Sequence, residues 1–102
     1  PRYALYGSRY TVLHGSKTGA AERFDVVGRC CESGDIIQPG VELPTDTCKG
    51  DIIAVCPTGA YNYPMAPNYN RLPRPPIVML TPERSYEAVR RETLEDLIAL
   101  DL

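Results

Sequence analysis

Cys30 and Cys31 are followed at once by Glu32 and, three residues later, by Asp35, in the stretch "GRCCESGDIIQPG" (28–40). A thiol has an unperturbed pKa of about 8.5, so it holds a proton at neutral pH yet can release it. A carboxylate beside it can accept charge-assisted hydrogen bonds from an ammonium group. A thiol–carboxylate cluster at the end of an apolar run is therefore a candidate for chemistry. Two further segments gather polar and special residues. "PRYALYG" (1–7) carries Arg2 and Tyr6, and "GDIIAVCPTGAYNYPMAPNYN" (50–70) carries Tyr61 directly after Gly59 and Ala60. Each segment alone also fits a plain structural role. Arg2 and Tyr6 suit a surface pair, Glu32 and Asp35 solvated turn residues, and Tyr61 a tyrosine at the edge of a core.

Metal chemistry is disfavoured. The four cysteines, Cys30, Cys31, Cys48 and Cys56, contain no Cys-x-x-Cys pair, and His14 is the single histidine. Neighbours on a strand face opposite ways, so Cys30 and Cys31 are not expected to hold one ion. Nothing marks the chain as secreted, so reduced thiols are expected rather than disulfides. A lone His14 is expected to be a strand surface residue. With 102 residues the chain has room for one small domain, which tends to lean on partners for burial. A net charge of −2 argues against a nucleic-acid partner. No apolar run approaches the ~20 residues of a membrane span, and no signal-peptide layout opens the chain. A cytoplasmic protein is expected. The start at Pro1-Arg2-Tyr3, without an initiator Met, reads as a beginning inside a longer protein.

The elements that must position these residues are short. Ten prolines and eight glycines punctuate the chain, which favours strands over helices. "SRYTVLHG" (8–15) alternates, with Tyr10, Val12 and His14 on one face and Thr11 and Leu13 on the other. "ERFDVVGRC" (22–30) has the same period. "GDIIAVC" (50–56) and "PPIVML" (75–80) read as strands buried on both faces. "TPER" (81–84) is turn-like, and "SYEAVRR" (85–91) suits a returning strand, with helix as the alternative. "NYNRLPRPP" (68–76) is a Pro-rich loop. In "TLEDLIAL" (93–100), Thr93 with Asp96 three residues later is close to a capping box, and Leu94, Leu97 and Ile98 share a helical face. The expected fold is mostly β, a small barrel or sandwich with a short C-terminal helix.

Taken together the segments are more specific. Arg2 and Tyr6, then "CCESGD" (30–35), then "GDII" (50–53), "GAY" (59–61) and "NYNRLPRP" (68–75) resemble the C-terminal β-domain of diaminopimelate decarboxylases. "RETLEDL" (91–97) resembles that family's closing segment. Asn62-Tyr63-Pro64-Met65-Ala66-Pro67 departs from the small residues usual there. The family consists of pyridoxal-phosphate enzymes that pair an alanine-racemase-type (β/α)8 barrel with a β-domain. The resemblance implies that residues 1–102 are the C-terminal domain of a larger enzyme, with the catalytic barrel absent from this chain. The Schiff-base lysine and the phosphate-binding loop would belong to that barrel. Lys17 and Lys49 match neither motif, and the chain alone is expected to be inactive.

The same resemblance implies roles. Cys31 is the catalytic acid that returns a proton to the substrate carbon, and Cys30 is structural, facing away. Glu32 binds the distal ammonium of the substrate, Arg2 its distal carboxylate through two oxygens, and Tyr6 adds a hydroxyl. Tyr61 lies beside the cofactor, near its phosphate and the substrate. Asp35 orders the turn; Cys48 and Cys56 have no assigned role. The partners implied are an amino-acid substrate, the chain's own N-terminal barrel, and a second subunit in a homodimer with shared active sites. The alternatives are a related decarboxylase of ornithine, arginine or a polyamine precursor, a stand-alone β-module without catalysis, and a small thiol-redox or zinc domain.

Overall fold

Short apolar-rich runs, most of them bounded by Gly or Pro, fold among the described residues as six short strands paired in twos. The computed structural model describes Gly7, residues 9–60 and residues 62–102. The strands are β1 (Thr11–His14), β2 (Ala21–Val27), β3 (Ile36–Pro44), β4 (Ile53–Cys56), β5 (Ile77–Leu80) and β6 (Ser85–Val89). One helical turn, α1 (Leu94–Leu97), follows. All pairings are antiparallel: β1 with β4, β2 with β3, β5 with β6. The molecule is thus mostly β with a short helix, as the sequence leads one to expect. Among the described residues the strands form three ribbons and close no barrel. The chain divides into two compact units, one running to Met65 and the other from Ala66 to Leu102.

In the first unit the alternation in β1 holds. Val12 is buried while Thr11 and Leu13 face out. Val12 joins Val41 and Leu43 of β3 in a small core, with Phe24, Val26, Ile53 and Val55 packed against it. Burial of each such side chain stabilises by about 1.5–3 kcal/mol, so a core of this size is modest. The buried polar residue Gln38 accepts a hydrogen bond from the Tyr10 amide at 2.9 Å, fixing the chain as it enters β1.

β3, the longest strand, carries Pro39 and Gly40 in its middle. The ladder absorbs them as an irregularity: Val26 pairs with Gln38 and Phe24 with Val41, so β3 holds two residues where β2 holds one. Gly40 has φ +66°, a left-handed conformation that costs an L side chain roughly 1–2 kcal/mol. Its amide, diverted from the ladder, donates to Asp25 Oδ1 at 2.9 Å.

Two expectations fail here. β4 is not buried on both faces: Ile53 and Val55 are half-buried, while Ala54 and Cys56 are exposed. Among the described residues its one neighbour strand is β1, and each face of a two-stranded ribbon needs its own cover. β5 likewise exposes Val78, Met79 and Leu80.

In the second unit, β5 and β6 are joined by the expected turn, in which the Thr81 amide donates to the Arg84 carbonyl at 2.8 Å. "SYEAV" is strand, not helix. The capping box at α1 is complete: the Thr93 side chain accepts from the Asp96 amide, and Asp96 Oδ2 accepts from the Thr93 amide. The helix ends at Leu97, short of the expected residue 100, and Leu94 and Ile98 are exposed. Glu92 organises the Pro-rich loop. It accepts from the Asn68 side chain and from the Arg74 amide at 3.0 Å, and pairs with the Arg74 guanidinium at 3.3 Å. Asn70 and Arg71 stand at φ 58° and 55° inside that loop.

Candidate functional site

The thiol–carboxylate cluster lies in the connection between β2 and β3. β2 ends at Val27, which pairs with Ile36 at the start of β3. Residues 28–35 form a bend closed by the Gly28 amide donating to the Asp35 carbonyl at 2.8 Å. The expectation that Cys30 and Cys31 stand on opposite faces of a strand is therefore corrected: both lie in the bend, one turn-forming residue after another. The reason is the pair of glycines, Gly28 and Gly34, which flank a run too polar to continue the ladder.

Within the bend the two cysteines differ. Cys30 is half-buried and Cys31 is exposed. Burial, then a hydrogen bond from the thiol to Asp35, pushes the Cys30 thiol above its ordinary range. Asp35 Oδ2 also accepts from the Cys30 amide at 2.9 Å. Glu32 is exposed, and its Oε1 accepts from the Gly34 amide at 2.9 Å, which aims the carboxylate. Its backbone is held on both sides, the amide by the Cys30 carbonyl at 2.8 Å and the carbonyl by the Asp35 amide at 3.1 Å. The bend thus presents one thiol and one oriented carboxylate together at the surface, next to a second thiol turned inward. Asp35 orders the turn, as expected. Arg2, Tyr6 and Tyr61 lie outside the described residues. None of the four cysteines is in a disulfide.

A second polar cluster has no counterpart in the sequence reading. His14 is not a surface residue: its side chain is 3 % exposed. Its Nδ1 accepts from the Ser16 amide at 3.0 Å and the Lys17 amide at 2.8 Å. The ring is therefore the tautomer with hydrogen on Nε2, which donates to Asp51 Oδ2 at 3.2 Å. The Lys17 ammonium donates to the same Asp51 oxygen at 2.8 Å, to the Asp46 carbonyl at 2.8 Å and to Cys48 Sγ at 3.4 Å. Lys17, then the Cys48 amide, then His14 hold the Asp51 carboxyl far below the usual carboxylate range. Asp51 in turn raises Lys17. The signal was available: His14 shares a strand face with buried Val12. Among the described residues, no group of three or more His, Cys, Asp or Glu could hold a metal ion. No helix among them is long and apolar enough to cross a membrane.

The chain resembles known proteins in both sequence and structure. The family model described as pyridoxal-dependent decarboxylase, C-terminal sheet domain, matches residues 1–59. The diaminopimelate decarboxylase of Bacillus subtilis is 43 % identical over 103 residues, covering 99 % of this chain and 23 % of that protein. That of Actinosynnema pretiosum is 48 % identical over 98 residues, covering 96 % of this chain and 22 % of its own length. Among solved structures, diaminopimelate decarboxylase from M. jannaschii superposes with a TM-score of 0.91 at 33 % identity, covering 99 % of this chain and 23 % of that one. The enzyme from Helicobacter pylori, complexed with L-lysine, gives 0.88 at 33 % identity, over 98 % of this chain and 25 % of that one. The chain spans about a quarter of the length of the relatives it matches.

Proposed function

The chain belongs to the pyridoxal-dependent decarboxylase family through its C-terminal sheet domain, and from that premise we propose that residues 1–102 form the substrate-facing domain of a cytoplasmic enzyme that decarboxylates meso-diaminopimelate to L-lysine. The single observation that carries this reading is the bend at 28–35, where an exposed thiol and an oriented carboxylate adjoin within the family's own segment. The rest of the enzyme is a (β/α)8 barrel N-terminal to this chain.

Pyridoxal phosphate, when bound, supplies the electron sink for loss of CO2. The described residues of this chain do not by themselves fit that group. Lys17 is engaged with Asp51, the Asp46 carbonyl and Cys48, and it is held in its charged form. The lysine and the phosphate cradle are assigned to the barrel, and Tyr61 is this chain's contact with the cofactor.

The chain's own residues then recognise and protonate. Glu32 receives the distal ammonium of the substrate on its exposed carboxylate. Arg2 binds the distal carboxylate with its planar fork, and Tyr6 donates to the same group. Cys31 keeps its proton until CO2 has left and delivers it to the substrate carbon. The bend reaches the active site of the other subunit of a homodimer, so that each site is shared.

The test is substrate discrimination by the full-length enzyme. It is expected to release CO2 from meso-diaminopimelate and not from ornithine or arginine, which lack a second carboxylate. Arg2→Ala is expected to cost roughly ten- to a hundred-fold in kcat/KM on diaminopimelate, the usual loss for one charge-assisted contact, and far less on an analogue without that carboxylate. Equal losses on both would make Arg2 structural and remove the argument for diaminopimelate.

A further inference from the structure

Two adjacent thiols pose a selection problem that the bend solves. Asp35 touches the bend at three points. Its carbonyl accepts from the Gly28 amide at 2.8 Å, its own amide donates to the Glu32 carbonyl at 3.1 Å, and its carboxylate accepts from the Cys30 amide at 2.9 Å. The carboxylate occupies the space where a side chain at residue 28 would stand, since a Cβ there would fall within 2.2 Å of all three carboxylate atoms. Gly28 thus admits the carboxylate, and the carboxylate turns residue 30 inward.

We infer that Asp35 is a positioning residue that sorts the two thiols, holding Cys30 inward and unreactive and leaving Cys31 outward and able to hand over a proton. This rests on the reading of Cys31 given above and deepens it. The sorting has a chemical side as well as a geometric one. Burial and the hydrogen bond to Asp35 keep Cys30 as the thiol, against the opposing pull of Arg29. A thiol that is half-buried and held protonated is a poor nucleophile, while an exposed neighbour reacts first. Asp35 touches neither substrate nor reacting atoms in this account. It acts by fixing the Cys30 amide, and through it the direction of Cys31.

The experiment is substoichiometric alkylation of the intact protein with iodoacetamide, with the label localised by fragment-ion mass spectrometry. In the singly labelled product the label is expected at Cys31 over Cys30 by about tenfold or more, the consequence of an exposed thiol beside a half-buried one. Asp35→Ala is expected to bring the two close to parity. Gly28→Ala, which displaces the carboxylate without removing it, is expected to do the same. Asp35→Asn keeps an acceptor oxygen for the Cys30 amide and is expected to retain the bias. A wild type that labels both cysteines equally overturns the inference without any variant. So does an Asp35→Ala protein that melts as a folded protein and keeps the full bias. In the full-length enzyme the same Asp35→Ala change is expected to lower kcat with little change in KM. If labelling loses its bias while kcat is untouched, the sorting by Asp35 is supported and it is the proton-donor role of Cys31 that falls.

Discussion

Lys17 and Asp51 are joined by a 2.8 Å hydrogen bond, and the oxygen that receives it also accepts from the buried His14 ring and the Cys48 amide. One carboxylate oxygen therefore ties the end of β1 to the approach of β4. Because the Asp51 carboxyl is held far below its ordinary value, it contributes stability above the unfolded value of about 3.9, and that contribution is lost as the pH falls further. Thermal melts of wild type and Asp51→Asn should differ most near neutrality, with the gap closing below about pH 4. A gap that stays constant into acid would mean that the charge of Asp51 does not matter.

Gly40 should resist substitution. Its φ of +66° disfavours any L side chain, and a Cβ there would meet the Arg23 guanidinium at 2.8 Å. Gly40→Ala is expected to cost about 1–2 kcal/mol from the backbone alone, measured by chemical denaturation. Arg23→Ala in the same background should recover the part due to the clash and leave the rest. Full recovery would locate the whole cost in the side-chain contact.

The assignment of the cofactor lysine to the barrel has a direct consequence for this chain. Incubated with pyridoxal phosphate and reduced with borohydride, the 102-residue chain should show no stoichiometric adduct at a single residue. Lys17 is the informative position, because its ammonium already donates to three acceptors. A stoichiometric adduct there, read by mass spectrometry, would mean that the chain carries its own cofactor site.

The proposed sharing of sites between subunits predicts complementation. Two inactive full-length variants, one lacking the barrel lysine and one carrying Cys31→Ala, should restore about a quarter of wild-type sites after random re-association. Half of the dimers are then mixed, and each of these has one intact site. If the subunits exchange and no activity returns, Cys31 serves its own subunit's site or no site.

Most of the architecture is legible in the sequence, for local reasons. Alternation around Val12 places β1, and Thr93 with Asp96 places the start of α1, because each signal acts over a few residues. β3 is not legible. Pro39-Gly40 reads as the end of an element, and only the tertiary ladder with β2 turns it into an irregularity within one strand. The apolar runs of β4 and β5 read as buried on both faces, because periodicity cannot count the neighbours a strand will have. Of the candidate site, the residue types in the bend are legible, and the different fates of Cys30 and Cys31 are not. Those fates depend on Asp35, which reaches back across the bend, and on the room that Gly28 leaves for it. His14 could have been placed inside from its shared face with Val12; its partner Asp51, 37 residues away, could not.

The prolines bear on one more matter, the pairing of exposed strand edges with other chains. Ribbons of two strands leave backbone donors and acceptors along their outer edges, and such edges recruit further strands from other chains. β3 would be the worst case, being nine residues long. Yet Pro39 and Pro44 offer no amide hydrogen to an incoming strand, and the Gly40 amide is already taken by Asp25. Pro57 follows β4 directly, and Pro75 and Pro76 stand just before β5. Each ribbon thus meets a stop on or beside one of its strands where a foreign strand would otherwise continue. For ribbons with open edges, these prolines are barriers to pairing with a foreign strand.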